Sequence, residues 1–219
     1  MRILGWDERK FIEFIKGKIG DPSVLVDVGF NRGYFTEEWL ENFPNSKVFG
    51  FEPIGELANI GKENFANNKN VRIFNVGLHN EDCNKKLYFL HNGFDGMSSI
   101  HYRPVYYPRF EYTEIEVKLE RLDNFITSLP QIDYMKIDTE GNEVFVLEGA
   151  DQILRTIPPT FIQFEYGECY QDSKTTGRQI VRLLQKYKYV IYNRDLTIVT
   201  PDTFVENYDL QNYLAVFNG

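Results

Sequence analysis

The chain has little of what several common chemistries need: among its 219 residues are two cysteines, three histidines and no long apolar run. Cys83 and Cys169 stand far apart and outside any CxxC spacing. That excludes a disulfide framework and a cysteine zinc site, and both are expected as reduced thiols of a cytoplasmic protein. No stretch approaches the roughly 20 apolar residues of a membrane span. The first ten residues carry Arg2, Asp7, Glu8, Arg9 and Lys10 where a secretory leader needs an apolar core, so no leader is expected. Positive charge is also scarce. The 24 Lys and Arg against 32 Asp and Glu leave a net charge of -8. A chain so balanced lacks the basic footprint of a general nucleic-acid binder and is repelled by anionic membrane surfaces. The expected partners are therefore neither nucleic acid nor membrane. Oligomeric state is left open.

What is present is ordinary for a globular protein: 42% hydrophobic and 26% charged residues, enough for one domain spanning residues 1–219. An amphipathic helix is expected within residues 1–20, with Phe11, Ile12, Phe14, Ile15 and Ile19 at helical spacing before Gly20-Asp21-Pro22. Short apolar runs then alternate with helical patterns. Strands are expected at 24–28, 47–51, 71–76, 134–138, 160–165, 189–192 and 212–217. Helices are expected at 34–42, 55–65, 122–129, 143–155 and 175–187. Continuous apolar strands separated by helices predict a mostly parallel, seven-stranded sheet covered on both faces, a Rossmann-like α/β fold. The rhythm breaks between the third and fourth of these strands. There, two further strands at 86–90 and 114–119 bracket an irregular insert, residues 91–112, rich in aromatics: Phe94, Tyr102, Tyr106, Tyr107, Phe110 and Tyr112. A long aperiodic segment in a compact domain calls for a function, and this one is expected to close over an acceptor.

In such a sheet, ligands bind beyond the strands' C-terminal ends. The first strand exits as Asp27-Val28-Gly29-Phe30-Asn31-Arg32-Gly33, where two glycines let backbone approach a ligand at a helix start. The second exits as Phe51-Glu52-Pro53. Its acid lies about 25 residues after Asp27, where a carboxylate can take both hydroxyls of a ribose. Asn31 stands where a dinucleotide fingerprint has its middle glycine and would crowd a pyrophosphate. S-adenosylmethionine has no phosphate, and its amino-acid end needs partners such as Asp27. The fourth core strand exits as Lys136-Ile137-Asp138-Thr139-Glu140-Gly141-Asn142-Glu143 and the fifth as Phe164-Glu165. Glu143 is expected to complement the dipole of the helix that follows. Asp138, Glu140 and Glu165 have no such explanation at a buried sheet edge.

Together with Leu122-Asp123, Leu147-Glu148-Gly149-Ala150 and Phe164-Glu165, these motifs resemble the FkbM family of methyltransferases from about Val24 to Glu165. The Lys-Ile-Asp-x-Glu-Gly-x-Glu run is the most specific of them. The resemblance implies a class I methyltransferase fold, S-adenosylmethionine as methyl donor and, commonly, a hydroxyl on a sugar, glycan or secondary metabolite as acceptor. By position, Asp27, Gly29, Asn31 and Gly33 would surround the methionine part. Glu52 and Pro53 would border the ribose, Asn75 and Val76 the adenine, and Asp138 and Glu140 would face the methyl. Phe30 stands where the family often has alanine and suggests a differently shaped rim.

An aliphatic hydroxyl is far from ionised at neutral pH, so two routes fit the acids. Asp138 or Glu140 can act directly as general base, or Asp138 and Glu165 can ligate Mg²⁺. The direct route is favoured, since only two metal ligands are identifiable. His79 is expected in a surface loop, while His91 and His101 bracket the insert and are weighed as bases. The rivals are a nicotinamide or nucleotide-sugar enzyme, opposed by Asn31 and by the expected absence of a helical Tyr-x-x-x-Lys pair, and a non-catalytic partner subunit that keeps the cofactor fold.

Overall fold

A computed structural model describes residues 6–105 and 107–219. The expectation of no leader, which rests partly on residues 1–5, and the aromatic Tyr106 lie outside the described residues. In chain order the helices are α1 (Trp6–Ile19), α2 (Tyr34–Asn42), α3 (Gly55–Asn64), α4 (Glu143–Glu148), α5 (Asp151–Thr156), α6 (Cys169–Ser173) and α7 (Gly177–Lys186). The strands are β1 (Val24–Val28), β2 (Lys47–Phe51), β3 (Val71–Phe74), β4 (Gly77–Leu78), β5 (Cys83–Leu90), β6 (Tyr112–Glu120), β7 (Tyr134–Ile137), β8 (Phe161–Tyr166), β9 (Tyr189–Tyr192), β10 (Ile198–Val199) and β11 (Gln211–Phe217).

The main sheet runs β10-β9-β11-β8-β7-β1-β2-β3. Strands β3, β2, β1, β7 and β8 are parallel, while β11 lies antiparallel between β8 and β9. The seven core strands read from the sequence are all present, and the sheet gains an eighth. Strand β10 is two residues long and pairs with β9, too short to show a period in sequence. Strand β3 stops at Phe74, so Asn75 and Val76 belong to the loop beyond it.

Both faces of β1 are buried, as a parallel strand between helical layers requires. On one face Leu25, Val48, Tyr134 and Phe161 pack with Phe11 and Ile15 of α1 and Trp39 of α2. On the other, Val26, Phe49, Met135 and Ile162 pack with Val146, Ile153 and Ile180 of α4, α5 and α7. The expected helix at 143–155 divides at Gly149-Ala150 into α4 and α5. The expected helix at 122–129 is a single 3-10 turn, Leu122–Phe125. Its Asp123 instead accepts the amides of Gln152 (3.1 Å) and Ile153 (3.0 Å), capping the first turn of α5.

The insert is more ordered than its composition suggests. Strands β5 and β6 form an antiparallel hairpin that, with β4, makes a second, three-stranded sheet. Leu87, Phe89, Val117 and Leu119 of this sheet pack on Ile54 and Leu57 at the start of α3. The hairpin thereby carries its connecting segment across the C-terminal edge of the main sheet.

Candidate active site

Strand order reverses at β1, which has β2 on one side and β7 on the other. Above that switch point opens a cleft of about 890 Å³, within the roughly 300–1,000 Å³ usual for small-molecule sites. Gly29, Asn31, Glu52, Pro53, Asp138, Glu140 and Glu165 all line it. The structure thus brings together seven of the eleven residues named from sequence. Asp27, Gly33, Asn75 and Val76 are not among the lining residues.

Of these four, Asp27, Gly33 and Val76 are buried, whereas Asn75 is exposed. Asp27 is fully buried, and its Oδ2 accepts a hydrogen bond from the Thr36 hydroxyl at 2.7 Å, tying β1 to α2. Burial raises its pKa to about 6, against the lowering charge of Lys136. Gly33 caps α2 at φ +88°, and a Cβ there would meet the rings of Phe65 and Phe30 at 2.5 and 2.6 Å. Its requirement is therefore conformational and steric. The Asn75 amide donates to the carbonyls of Glu52 (2.9 Å) and Pro53 (3.1 Å), fixing the loop that leaves β2. Phe30 folds down against Phe65 and over Gly50 and Gly61, whose missing side chains make room for a ring.

Glu52 is the anchor of the β1–β2 edge. It is 4% exposed, with Oε2 accepting the Asn31 amide at 2.7 Å and Oε1 the Ile54 amide at 2.8 Å. Burial lifts its pKa to about 7, while the two amides pull the other way. Each oxygen retains a second lone pair, which suits the paired hydroxyls of a ribose. Gly29 is needed where the edges meet: at φ +82°, a Cβ would lie 1.8 Å from the backbone oxygen of Asp138. The glycine loop and the acid loop are in backbone contact.

On the β7–β8 edge, carboxylate oxygens of Asp138, Glu140 and Glu165 lie within 4.8 Å of one another. Lys136 Nζ donates to Asp138 Oδ2 at 2.9 Å, and Arg103 Nη1 to Glu140 Oε2 at 2.7 Å. Burial, then the charge of Asp138, pushes Glu140 up to about 8 although Arg103 opposes it. Glu165 is driven well above the carboxylate range by burial and the neighbouring acids. Glu143 stands in the first turn of α4, as expected, and does more. Its side chain turns back, and Oε1 accepts the Thr139 amide (2.8 Å), the Thr139 hydroxyl (2.9 Å) and the Gly141 amide (3.3 Å). It shapes the acid loop, in which Glu140 sits at φ +54°.

The insert clamps this loop. Ser99 Oγ donates to the Glu140 carbonyl at 2.7 Å, and the buried Arg103 pairs with both Glu140 and Asp172. Nearer the glycine loop, Arg32 Nε lies 3.3 Å from Asp95 Oδ2. Residues 93–100 line the same cleft as Glu52, so the segment covers both edges. Sequence reasoning missed Arg103 and Asp95. Their only signal was charge in a stretch otherwise dominated by aromatics, Gly, Ser and Pro.

The histidines are corrected as well. His79 is 2% exposed, not a surface residue, with Nδ1 2.9 Å from Asn142 Oδ1 and Lys85 at its other nitrogen. Burial, then Lys85, lowers its pKa. His101 stacks on Phe145, and burial with His79 and Lys85 lowers it to about 4. His91 Nε2 lies 3.2 Å from Thr113 Oγ1. None of the three lines the cleft. A helical Tyr-x-x-x-Lys spacing, expected to be absent, does occur at Tyr170 and Lys174. However, Tyr170 is fully buried with its hydroxyl on the Glu165 carbonyl, and Lys174 is exposed beyond the helix end. The two do not form a joint site. Both cysteines are free thiols, and among the described residues no helix is long and apolar enough to cross a membrane.

A Rossmann-like sheet with a glycine loop after β1, an acid closing β2 and acids closing β7 and β8 is the architecture of class I methyltransferases. The family model "Methyltransferase FkbM domain" matches residues 27–191. The chain belongs to that family. It is 28% identical over 149 residues to "Methyltransferase 1" of Beauveria bassiana, covering 60% of this chain and 59% of that protein. It is 26% identical over 183 residues to "2-O-methyltransferase NoeI" of Sinorhizobium fredii, covering 78% and 74%. The match thus spans about three-fifths of the Beauveria relative's length. Among solved structures, the S-adenosylhomocysteine-bound methyltransferase PaMTH1 of Podospora anserina superposes with a TM-score of 0.55 at 10% identity, covering all of this chain and 80% of that one. That likeness confirms the fold.

Proposed function

We propose that this protein transfers the methyl group of S-adenosylmethionine to a hydroxyl of a small molecule or glycan, with Asp138 as general base. The observation that carries the reading is the convergence of Asp138, Glu140 and Glu165 in the same cleft as Glu52 and the glycine loop. Glu52 would hold the ribose hydroxyls and Gly29 and Asn31 the methionine segment, leaving the sulfonium methyl facing the acids. A lone pair of the acceptor oxygen attacks the methyl carbon in line with the C–S bond. That bond breaks to leave the neutral thioether, and the hydroxyl proton passes to Asp138. Lys136 is ion-paired with Asp138, and Arg103 with Glu140. The resemblance to a named 2-O-methyltransferase supports oxygen as the attacked atom.

Eight carboxylates line the cleft against two cations, Arg32 and Lys136, and both cations are paired. Such a field disfavours phosphorylated acceptors, nucleic acid included, and favours neutral or cationic ones. A second reading rests on the same cluster. With Glu140 beside Asp138 and Glu165, three carboxylates rather than two could hold a hard cation such as Mg²⁺, which would lower the acceptor hydroxyl pKa. The direct-base route is preferred, because Lys136 and Arg103 already compensate two of the three charges.

The test is a screen of neutral sugars, glycans and metabolite extracts for S-adenosylhomocysteine formation and a matching mass gain of one methyl. Asp138→Asn should abolish turnover while cofactor binding persists. Near-normal turnover in that variant would remove Asp138 from the mechanism. Loss of activity with chelator and recovery with Mg²⁺ would favour the metal route.

A further inference from the structure

The two cations lining the cleft differ in depth and commitment. Arg32 is directed to the insert through Asp95. Lys136 lies in the floor, 5% exposed, with its Nζ 5.0 Å from the Phe35 ring centre. An ammonium within a buried parallel strand carries a large desolvation cost, which sheet formation alone gives no reason to accept. Strand register sets Asp27 opposite Lys136 on β1, and Asp138 takes one of its three N–H groups. Burial works against the ammonium, but Asp138, Asp27 and Glu8 outweigh it and hold the charge.

Position suggests what the remaining N–H groups meet. Gly29 touches the Asp138 backbone, and Lys136 lies two residues before Asp138, about 7 Å along the strand. Gly29 and Lys136 both line the cleft, so a ligand whose chain passes over Gly29 is within reach of the ammonium. We propose that Lys136 donates to the α-carboxylate of S-adenosylmethionine and so seats the amino-acid end of the cofactor. This rests on the methyl-donor reading above. In this arrangement Lys136 bridges two carboxylates, one from the protein and one from the ligand, and the second oxygen of Asp138 stays open to the acceptor.

The test compares two ligands by calorimetry: S-adenosylhomocysteine, and 5′-methylthioadenosine, which keeps the adenosyl thioether but lacks the amino-acid end. For Lys136→Met, affinity for S-adenosylhomocysteine should fall about 10- to 100-fold, the size of a lost charge-assisted hydrogen bond. Affinity for methylthioadenosine should stay within about threefold. Lys136→Arg should recover part of the loss. Unchanged S-adenosylhomocysteine binding would overturn the proposal, as would an equal loss for both ligands. A selective loss in Arg32→Ala but not in Lys136→Met would also overturn it, by moving the subsite to the glycine loop. If Lys136→Met does not fold, as judged by circular dichroism, the ligand pair is compared in Lys136→Arg, where the proposal requires a selective change in S-adenosylhomocysteine affinity. Failure of the wild-type protein to bind either ligand would instead break the methyl-donor reading itself.

Discussion

The two edges of the cleft satisfy their carboxylates in opposite ways. On the β1–β2 edge, Glu52 is met by two backbone amides that cannot move without unmaking the loop. On the β7–β8 edge, Asp138, Glu140 and Glu165 crowd together, and two are met by side chains, Lys136 and Arg103. Backbone partners make a rigid, preorganised binding feature. Burial, with the neighbouring acids, raises Glu140 and Glu165, and acids perturbed in this way mark candidate sites of proton transfer. In the proposed function, the first edge is the binding edge and the second carries the chemistry.

The largest effect that would sharpen this contrast is on turnover. Asp138→Asn should lower it by about 10³-fold, in the range of a lost general base. S-adenosylhomocysteine affinity should stay within a few-fold, and an equal loss of both would erase the distinction between the edges. Next is the insert's hold on the acid loop. Arg103→Met leaves the Glu140 carboxylate without its partner in a site where both side chains are largely buried. It should destabilise the fold by about 3 kcal/mol in urea titration. Adding Glu140→Gln should restore part of that loss, and strict additivity would show that the pair is not coupled. Glu52→Ala should weaken S-adenosylhomocysteine binding about 10- to 100-fold, as expected for hydrogen bonds to a charged group. Turnover at saturating cofactor should change less.

The smallest effect is on pH dependence. Glu52 has its folded-state pKa raised from 4.5 to about 7. The stability this contributes is fully present below about 4.5 and lost as pH rises through about 7. The melting temperature of Glu52→Gln should therefore fall less than wild type between pH 5 and 8. A steeper fall in the variant would contradict the raised pKa.

The sheet was legible because a parallel strand buried on both faces must be almost continuously apolar, as Val24–Val28 and Tyr134–Ile137 are apart from Asp27 and Lys136. Those two exceptions face each other across the register, a pairing that exists only once the strands are aligned. Strand exits carried Glu52, Asp138, Glu140 and Glu165, because strand ends and their acids are local features. What the sequence hid is long-range. Arg103 meets Glu140 across 37 residues, and His79 meets Asn142 across 63. Gly33 and Asn75 were read as bordering the cofactor; in the structure Gly33 caps α2, Asn75 donates to the carbonyls of Glu52 and Pro53, and neither is among the residues lining the cleft. The insert was read as a cover for the acceptor alone. Its ties to Arg32 and Glu140 set it over both edges.

The most direct test is a calorimetric titration of the purified protein with S-adenosylhomocysteine, alongside the Glu52→Ala and Asp138→Asn variants. The account predicts one site per chain, weakened by the first substitution and nearly untouched by the second. Absence of binding to a folded wild-type protein, or an equal loss in both variants, would contradict it.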